Sequence, residues 1–104
     1  MNLILSSLFI AHQNDQENQE REREWNERRT QVVNELRRVL WNIQHNESIL
    51  RTCQEEQGNN QPIDPNLQLA LDSATSNARH LLEIYREERA RLLEELDRLR
   101  EEMA

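Results

Sequence analysis

Lysine is absent from this 104-residue chain, and glycine, proline, cysteine and aromatic residues are scarce. Gly58 is the one glycine, Pro62 and Pro65 are the two prolines, and only four residues are aromatic. Tight turns between strands use glycine and proline, and strands favour β-branched and aromatic side chains. The composition therefore disfavours a β-sheet protein and also a compact globule with a thick core.

The same scarcity limits the chemistry that the chain can perform. Cys53 is alone, so neither a disulfide within the chain nor a paired-cysteine metal site can form. The sequence contains no GxSxG, HExxH or Gly-rich phosphate loop, and His12, His45 and His80 are scattered. We therefore expect no catalytic residue, no metal site and no cofactor, and the chain is not predicted to be an enzyme. A lone cysteine favours an intracellular location, cytoplasmic or nuclear.

The charged residues are numerous and mixed in sign. The formal net charge is −7, and all thirteen positive side chains are arginines. A negative chain is a poor general binder of phosphate backbones. The alternative function is that of a viral-type helical dimer, whose surface arginines would bind duplex RNA along its phosphates and recognise its shape. The candidate residues for that alternative are Arg21, Arg28, Arg37, Arg38 and Arg86.

The residues that are abundant predict two long helices. Leu, Glu, Arg and Gln dominate, and all are good helix formers. Glycine and proline are confined to the segment QGNNQPIDPN, so we predict a helix over 15–57, a turn over 58–64 and a helix over 65–103. Gly58 suits a left-handed residue that ends the first helix, and Asp64-Pro65 suits the N-cap and first residue of the second. A connection this short makes the helices antiparallel.

Apolar residues repeat at alternating spacings of three and four along both predicted helices, which is the pattern of a coiled-coil seam. Folding the chain at the turn brings the two repeats into register, with Trp25 opposite Leu99 and Val39 opposite Tyr85. Cys53 is expected to be a buried thiol, and Asn46 is a polar seam residue that can fix register or oligomeric state. The predicted hairpin seam consists of Trp25, Val32, Leu36, Val39, Ile43, Leu50, Cys53, Leu71, Ala78, Leu82, Tyr85, Leu92, Leu96 and Leu99.

The helices carry more apolar residues than one seam uses. A helix whose apolar stripe is wider than the a and d positions packs on more than one neighbour. We therefore expect a second seam that pairs two hairpins into a homodimeric four-helix bundle, or that binds a protein partner. A chain-swapped dimer would show the same pattern. The predicted surface includes Val33, Leu40, Trp41, Leu67, Ala74, Leu81 and Ile84, with Ile49 and Ala70 beside them.

The chain also begins with an apolar prefix, residues 1–14, in which eight of the first eleven residues are apolar. This run is shorter than the ~20 apolar residues that span a bilayer. A secretory signal is disfavoured because no lysine or arginine precedes the apolar run, and because Phe9 lies where a cleavage site needs a small residue. We expect the prefix, helical or partner-bound, to add Leu3, Ile4, Leu8 and Phe9 to the oligomer or partner surface.

These observations predict an all-α protein made of an antiparallel helical hairpin. Its expected function is that of a non-enzymatic coiled-coil scaffold or adaptor, which self-associates and docks an unidentified protein partner. Two alternatives stay open. One is the small nucleic-acid-binding dimer, and the other is a peripheral membrane protein that inserts residues 3–10.

Overall fold

The structure, a computed structural model, has two α-helices in the part of the chain that it describes, and a short segment connects them. It describes the backbone of residues 2–59 and 62–103 and the side chains of residues 13–59 and 62–103. Helix α1 spans Asn2–Gly58 and helix α2 spans Pro65–Glu102. The helices pack along each other, so the prediction of an all-α helical hairpin is confirmed.

The ends of the helices follow local chemistry in part. Asp64 is the N-cap of α2, and its Oδ1 accepts a hydrogen bond from the Asn66 backbone N–H at 3.0 Å. Pro65 occupies the first turn, where its missing N–H costs nothing because no intrahelical acceptor is available there. Both features confirm what the Asp64-Pro65 pair predicts.

The end of α1 differs from the expectation. Gly58 does not have a positive φ, so the prediction of a left-handed glycine at this helix end is wrong. Gly58 is instead the last helical residue of α1, and the chain leaves the helix after it. At its other end α1 begins at Asn2, because no glycine or proline interrupts the backbone between the prefix and Asp15.

The core is a single narrow row of side chains between the two helices. Six of its members are buried and form one cluster, and five partly buried residues pack against them. The buried residues are Val32, Val39, Ile43, Leu82, Leu92 and Leu99, and the partly buried ones are Trp25, Leu36, Leu50, Tyr85 and Leu96. Cys53 and Ala78 are also buried, and Leu71 is half-buried.

Two polar residues interrupt the core in its turn-proximal half. Asn46 is buried, and its Nδ2 donates to the backbone carbonyl of Asn42 at 2.8 Å, so this donor is satisfied within α1 and not across the hairpin. The Thr75 hydroxyl is buried as well and has no hydrogen-bond partner among the described residues. Buried apolar residues still continue the core in this half, namely Ile43 and Cys53 in α1 and Ala78 and Leu82 in α2.

The hairpin is a thin rod. Its principal extents are 94 × 18 × 15 Å, and its radius of gyration is 25.4 Å. A compact domain of the same length would have a radius of gyration of about 13 Å. Helix α2 ends at Glu102, which contacts Arg28, so the part of α1 before Arg21 has no described residue of α2 beside it. Residues 13–20 are exposed throughout.

Candidate interaction surfaces

Among the described residues, three ion pairs between the helices define the two faces of the hairpin. Arg38 Nη2 lies 3.0 Å from Glu88 Oε1, and Arg28 Nη1 lies 3.3 Å from Glu102 Oε2. Arg28 and Glu102 lie on the same face as Arg38 and Glu88, because Glu102 is two heptads beyond Glu88. We call this side the Arg38 face.

The third ion pair lies on the opposite side. Arg86 Nη2 lies 3.7 Å from Glu47 Oε1. Glu47 follows the buried Asn46 directly, so it lies on the other flank of the α1 seam from Arg38, which directly precedes the buried Val39. We call this side the Glu47 face.

The predicted second seam is divided between these two faces. Leu81, Ala74 and Leu67 precede Glu88 by one, two and three heptads, which places them on the Arg38 face. Val33 and Leu40 precede Glu47 by two heptads and one, which places them on the Glu47 face. A continuous second seam built from all these residues is therefore not a feature of one hairpin.

On the Arg38 face, α2 carries a row of six uncharged residues. Ala70, Asn77 and Ile84 precede Arg91 by three heptads, two and one, and Arg91 contacts Glu88 at 4.0 Å. They alternate with the three residues already placed on this face. We call this row the α2 stripe, and it consists of Leu67, Ala70, Ala74, Asn77, Leu81 and Ile84.

Several members of these surfaces are large and solvent-exposed. Leu67 is 46% exposed and Ile84 is 44% exposed on the Arg38 face. Trp41 is 62% exposed, and its ring stacks on His45 with a centroid distance of 5.0 Å. His45 follows Arg38 by one heptad, so the stacked pair borders the Arg38 face. Burial of such side chains is favourable, so these residues form a candidate docking surface.

The Glu47 face also carries apolar residues. Val33 is half-buried, Leu40 is exposed, and Leu93 follows Arg86 by one heptad and is also exposed. Leu93 is not among the surface residues predicted from the sequence. Its place beside Val33 depends on the register of the hairpin, and its position one heptad after Arg86 is the signal that could have found it.

The candidate residues for nucleic-acid contact lie near acidic partners. Of the five arginines, Arg28, Arg38 and Arg86 each contact a glutamate of the other helix. Arg21 and Arg37 are exposed. The paired arginines are divided between the two faces, so the described residues do not form one uninterrupted basic surface.

The predicted surface residues of the prefix lie outside the side chains that the structure describes. This applies to Leu3, Ile4, Leu8 and Phe9, of which only the helical backbone is described. Among the described residues, no helix has a segment long and apolar enough to cross a membrane. The described residues also contain no group of three or more His, Cys, Asp or Glu side chains placed to hold a metal ion.

Comparison with protein-family models, curated proteins and solved structures found no match to this chain.

Proposed function

We propose that this chain is a non-enzymatic coiled-coil scaffold, which self-associates and docks a protein partner through its exposed apolar residues and its N-terminal prefix. One observation supports this most strongly. The hairpin already fills its seam with its own side chains, and Trp41, Leu67 and Ile84 are still largely exposed. Exposed aromatic and aliphatic anchors of this kind are typical of protein–protein interfaces.

The shape of the hairpin supports the same proposal. A rod 94 Å long and at most 18 Å across offers two long side surfaces and little enclosed volume. Clefts that bury most of a small ligand are the usual setting for catalysis, whereas extended helical surfaces suit partner helices. The segment of α1 before Arg21 extends past α2 and presents the apolar prefix away from the hairpin.

The direct test is the absolute mass of the full chain, measured by light scattering on a sizing column across a wide range of protein concentrations. The expected mass is twice the 12.5 kDa of one chain. The same measurement on the full chain with Phe9→Asp and Ile10→Asp locates the self-association. A dimer in both proteins places it in the hairpin, and the prefix is then available to the partner.

The control variant carries two aspartates at residues 13–20, for example Asn14→Asp and Asn18→Asp, at positions that are already exposed. This control adds the same charge to the projecting part of α1 without changing an apolar residue. A dimer that is lost in the prefix variant and kept in the control makes the prefix the self-association element. A monomer at every concentration in the unmodified chain contradicts self-association.

A further inference from the structure

The α2 stripe has the same spacing in both directions along the helix. Its six residues are separated by three, four, three, four and three positions, so the row is symmetric about a midpoint between Thr75 and Ser76. Large residues stand at the outer positions Leu67 and Ile84, and small ones, Ala70 and Ala74, lie toward the midpoint. A row with this symmetry can pack against its own copy in the antiparallel direction, with the twofold axis perpendicular to the helix.

The geometry points to a second copy of this chain as the occupant of the Arg38 face, with the twofold axis crossing the hairpin between Thr75 and Ser76. This inference rests on the proposed self-association and adds its geometry. The α2 helices of the two copies run antiparallel, and so do the two α1 helices, which produces a four-helix bundle in the turn-proximal half.

Opposing residues in this arrangement fit by size. Leu67 of each copy lies opposite Ile84 of the other, and Ala70 lies opposite Leu81. Ala74 lies opposite Asn77 near the axis. A small residue opposite a large one lets two helices interdigitate at the usual distance of about 8–10 Å between axes. The two leucine–isoleucine contacts bury Leu67 and Ile84, which are 46% and 44% exposed in the single hairpin.

Helix α1 supplies a residue at the same axis. Trp25 Nε1 donates to the Leu99 carbonyl at 2.6 Å, which fixes the register of the two helices. Ile49 is 24 residues after Trp25, and Thr75 is 24 residues before Leu99, so Ile49 is level with the midpoint of the α2 stripe. Ile49 also lies three heptads after Arg28, on the Arg38 face. It therefore meets its own copy in the dimer.

The charges of the turn-proximal half support this choice of face. On the Arg38 face, few charged residues lie near the α2 stripe. Arg38 and Glu88 pair with each other at the end of the stripe farther from the turn, and Glu56 lies at the end nearer the turn. In the antiparallel dimer, the end that carries Arg38 in one copy lies near the end that carries Glu56 in the other. The Glu47 face of the same half carries many more charges, namely Arg37, Glu47, Arg51, Asp72, Arg79, Glu83 and Arg86.

The area is enough for a reversible dimer. The two copies overlap from one turn to the other, about 30 Å at ~1.5 Å per residue. With a hairpin width of 18 Å, the interface buries about 1,100 Å² in total, near the lower limit of ~1,200 Å² for stable interfaces. We therefore expect a dimer that dissociates on dilution.

Disulfide cross-linking in the full chain tests this geometry. In a Cys53→Ala background, Ala74→Cys places thiols close to the axis, about 4.5 Å apart along the helix at ~1.5 Å per residue. Mild oxidation is expected to give a covalent dimer on a non-reducing gel. Ser76→Cys is the matched control, because Ser76 is at the same level of α2 but is exposed on the Glu47 face. This variant is expected to give little covalent dimer.

A second set of variants tests the direction of the helices. Leu67→Cys alone and Ile84→Cys alone are expected not to cross-link, because each lies about 26 Å from its own copy at ~1.5 Å per residue. A mixture of the two variants is expected to give the mixed covalent dimer.

The possible results separate the two proposals. A dimeric mass with cross-linking of Leu67→Cys alone, or with equal cross-linking of Ala74→Cys and Ser76→Cys, overturns this geometry and leaves self-association standing. A monomeric mass in the unmodified chain overturns both. A dimeric mass with cross-links only at Ala74→Cys and in the Leu67→Cys and Ile84→Cys mixture supports both.

Discussion

Adjacent residues of the hairpin can differ strongly in solvent exposure, because the helical period places one in the seam and the next outside it. Leu92 is 1% exposed in the core, whereas the next residue, Leu93, is 46% exposed on the Glu47 face. Both are leucines in the middle of α2 with the same helix propensity. The difference between them therefore isolates the contribution of the seam from that of the helix.

Leu92→Ala is expected to lower the free energy of unfolding by about 2–3 kcal/mol, near the lower end of the range for buried leucines. The thin rod can close part of the cavity, which keeps the loss at that end of the range. Leu93→Ala, the matched control, is expected to change it by less than about 0.5 kcal/mol. Urea unfolding followed by far-UV circular dichroism at one protein concentration measures both. Equal losses for the two variants would contradict the observed seam.

At the scale of the helix, the two ends of α2 are stabilised by different means. Its first turn is capped by Asp64, which is adjacent in sequence. Its last turn depends on a residue of the other helix. In a continued α-helix the Met103 N–H would donate to the Leu99 carbonyl, but here it donates to the Arg100 carbonyl at 3.3 Å. The indole N–H of Trp25 donates to the Leu99 carbonyl instead.

Trp25→Phe removes this donor while keeping an aromatic ring in the seam. We expect a loss of about 1 kcal/mol in the free energy of unfolding, the usual net value of one hydrogen bond, together with faster amide hydrogen exchange in the last turn of α2. Trp41→Phe is the control, because Trp41 is exposed and no hydrogen bond of its indole N–H to the described residues is observed. Unchanged exchange at the end of α2 in Trp25→Phe would show that this hydrogen bond does not hold the helix end.

At the scale of the whole molecule, the arrangement of charges and apolar residues distinguishes the two faces. The interhelical ion pairs are exposed, and exposed ion pairs typically contribute only ~0–1 kcal/mol each. Their effect is therefore mainly on specificity. In the turn-proximal half the Arg38 face carries few charged residues, and this is the face that we propose to pack against a second hairpin.

The proposed dimer has a characteristic length. Helix α1 extends 47 residues from Ile49 back to Asn2, and on both sides of the axis this gives a particle about 140 Å long at ~1.5 Å per residue. A dimer of parallel, side-by-side hairpins would keep the 94 Å length of one chain. Small-angle X-ray scattering at a concentration where light scattering shows a dimer measures the maximum dimension. A value close to that of a single hairpin would contradict the antiparallel overlap.

The features that the sequence alone determined are those that depend on local chemistry and periodicity. The lack of glycine and proline outside one segment predicts two helices and one turn, and Asp64-Pro65 predicts where α2 begins. The alternating spacing of apolar residues predicts which side chains can face the other helix, because both the helix and the coiled coil repeat regularly along the chain.

Other features were decided only by the tertiary structure, because they depend on residues far apart in sequence. The flank on which Val33 or Leu81 lies is set by how the two helices close on each other: antiparallel packing groups Val33 with Arg86 and Leu93, and Leu81 with Arg38. The cap that Trp25 provides for α2 joins residues 74 positions apart. Gly58 stayed helical although its type favours a left-handed helix end, because a glycine permits that conformation without requiring it.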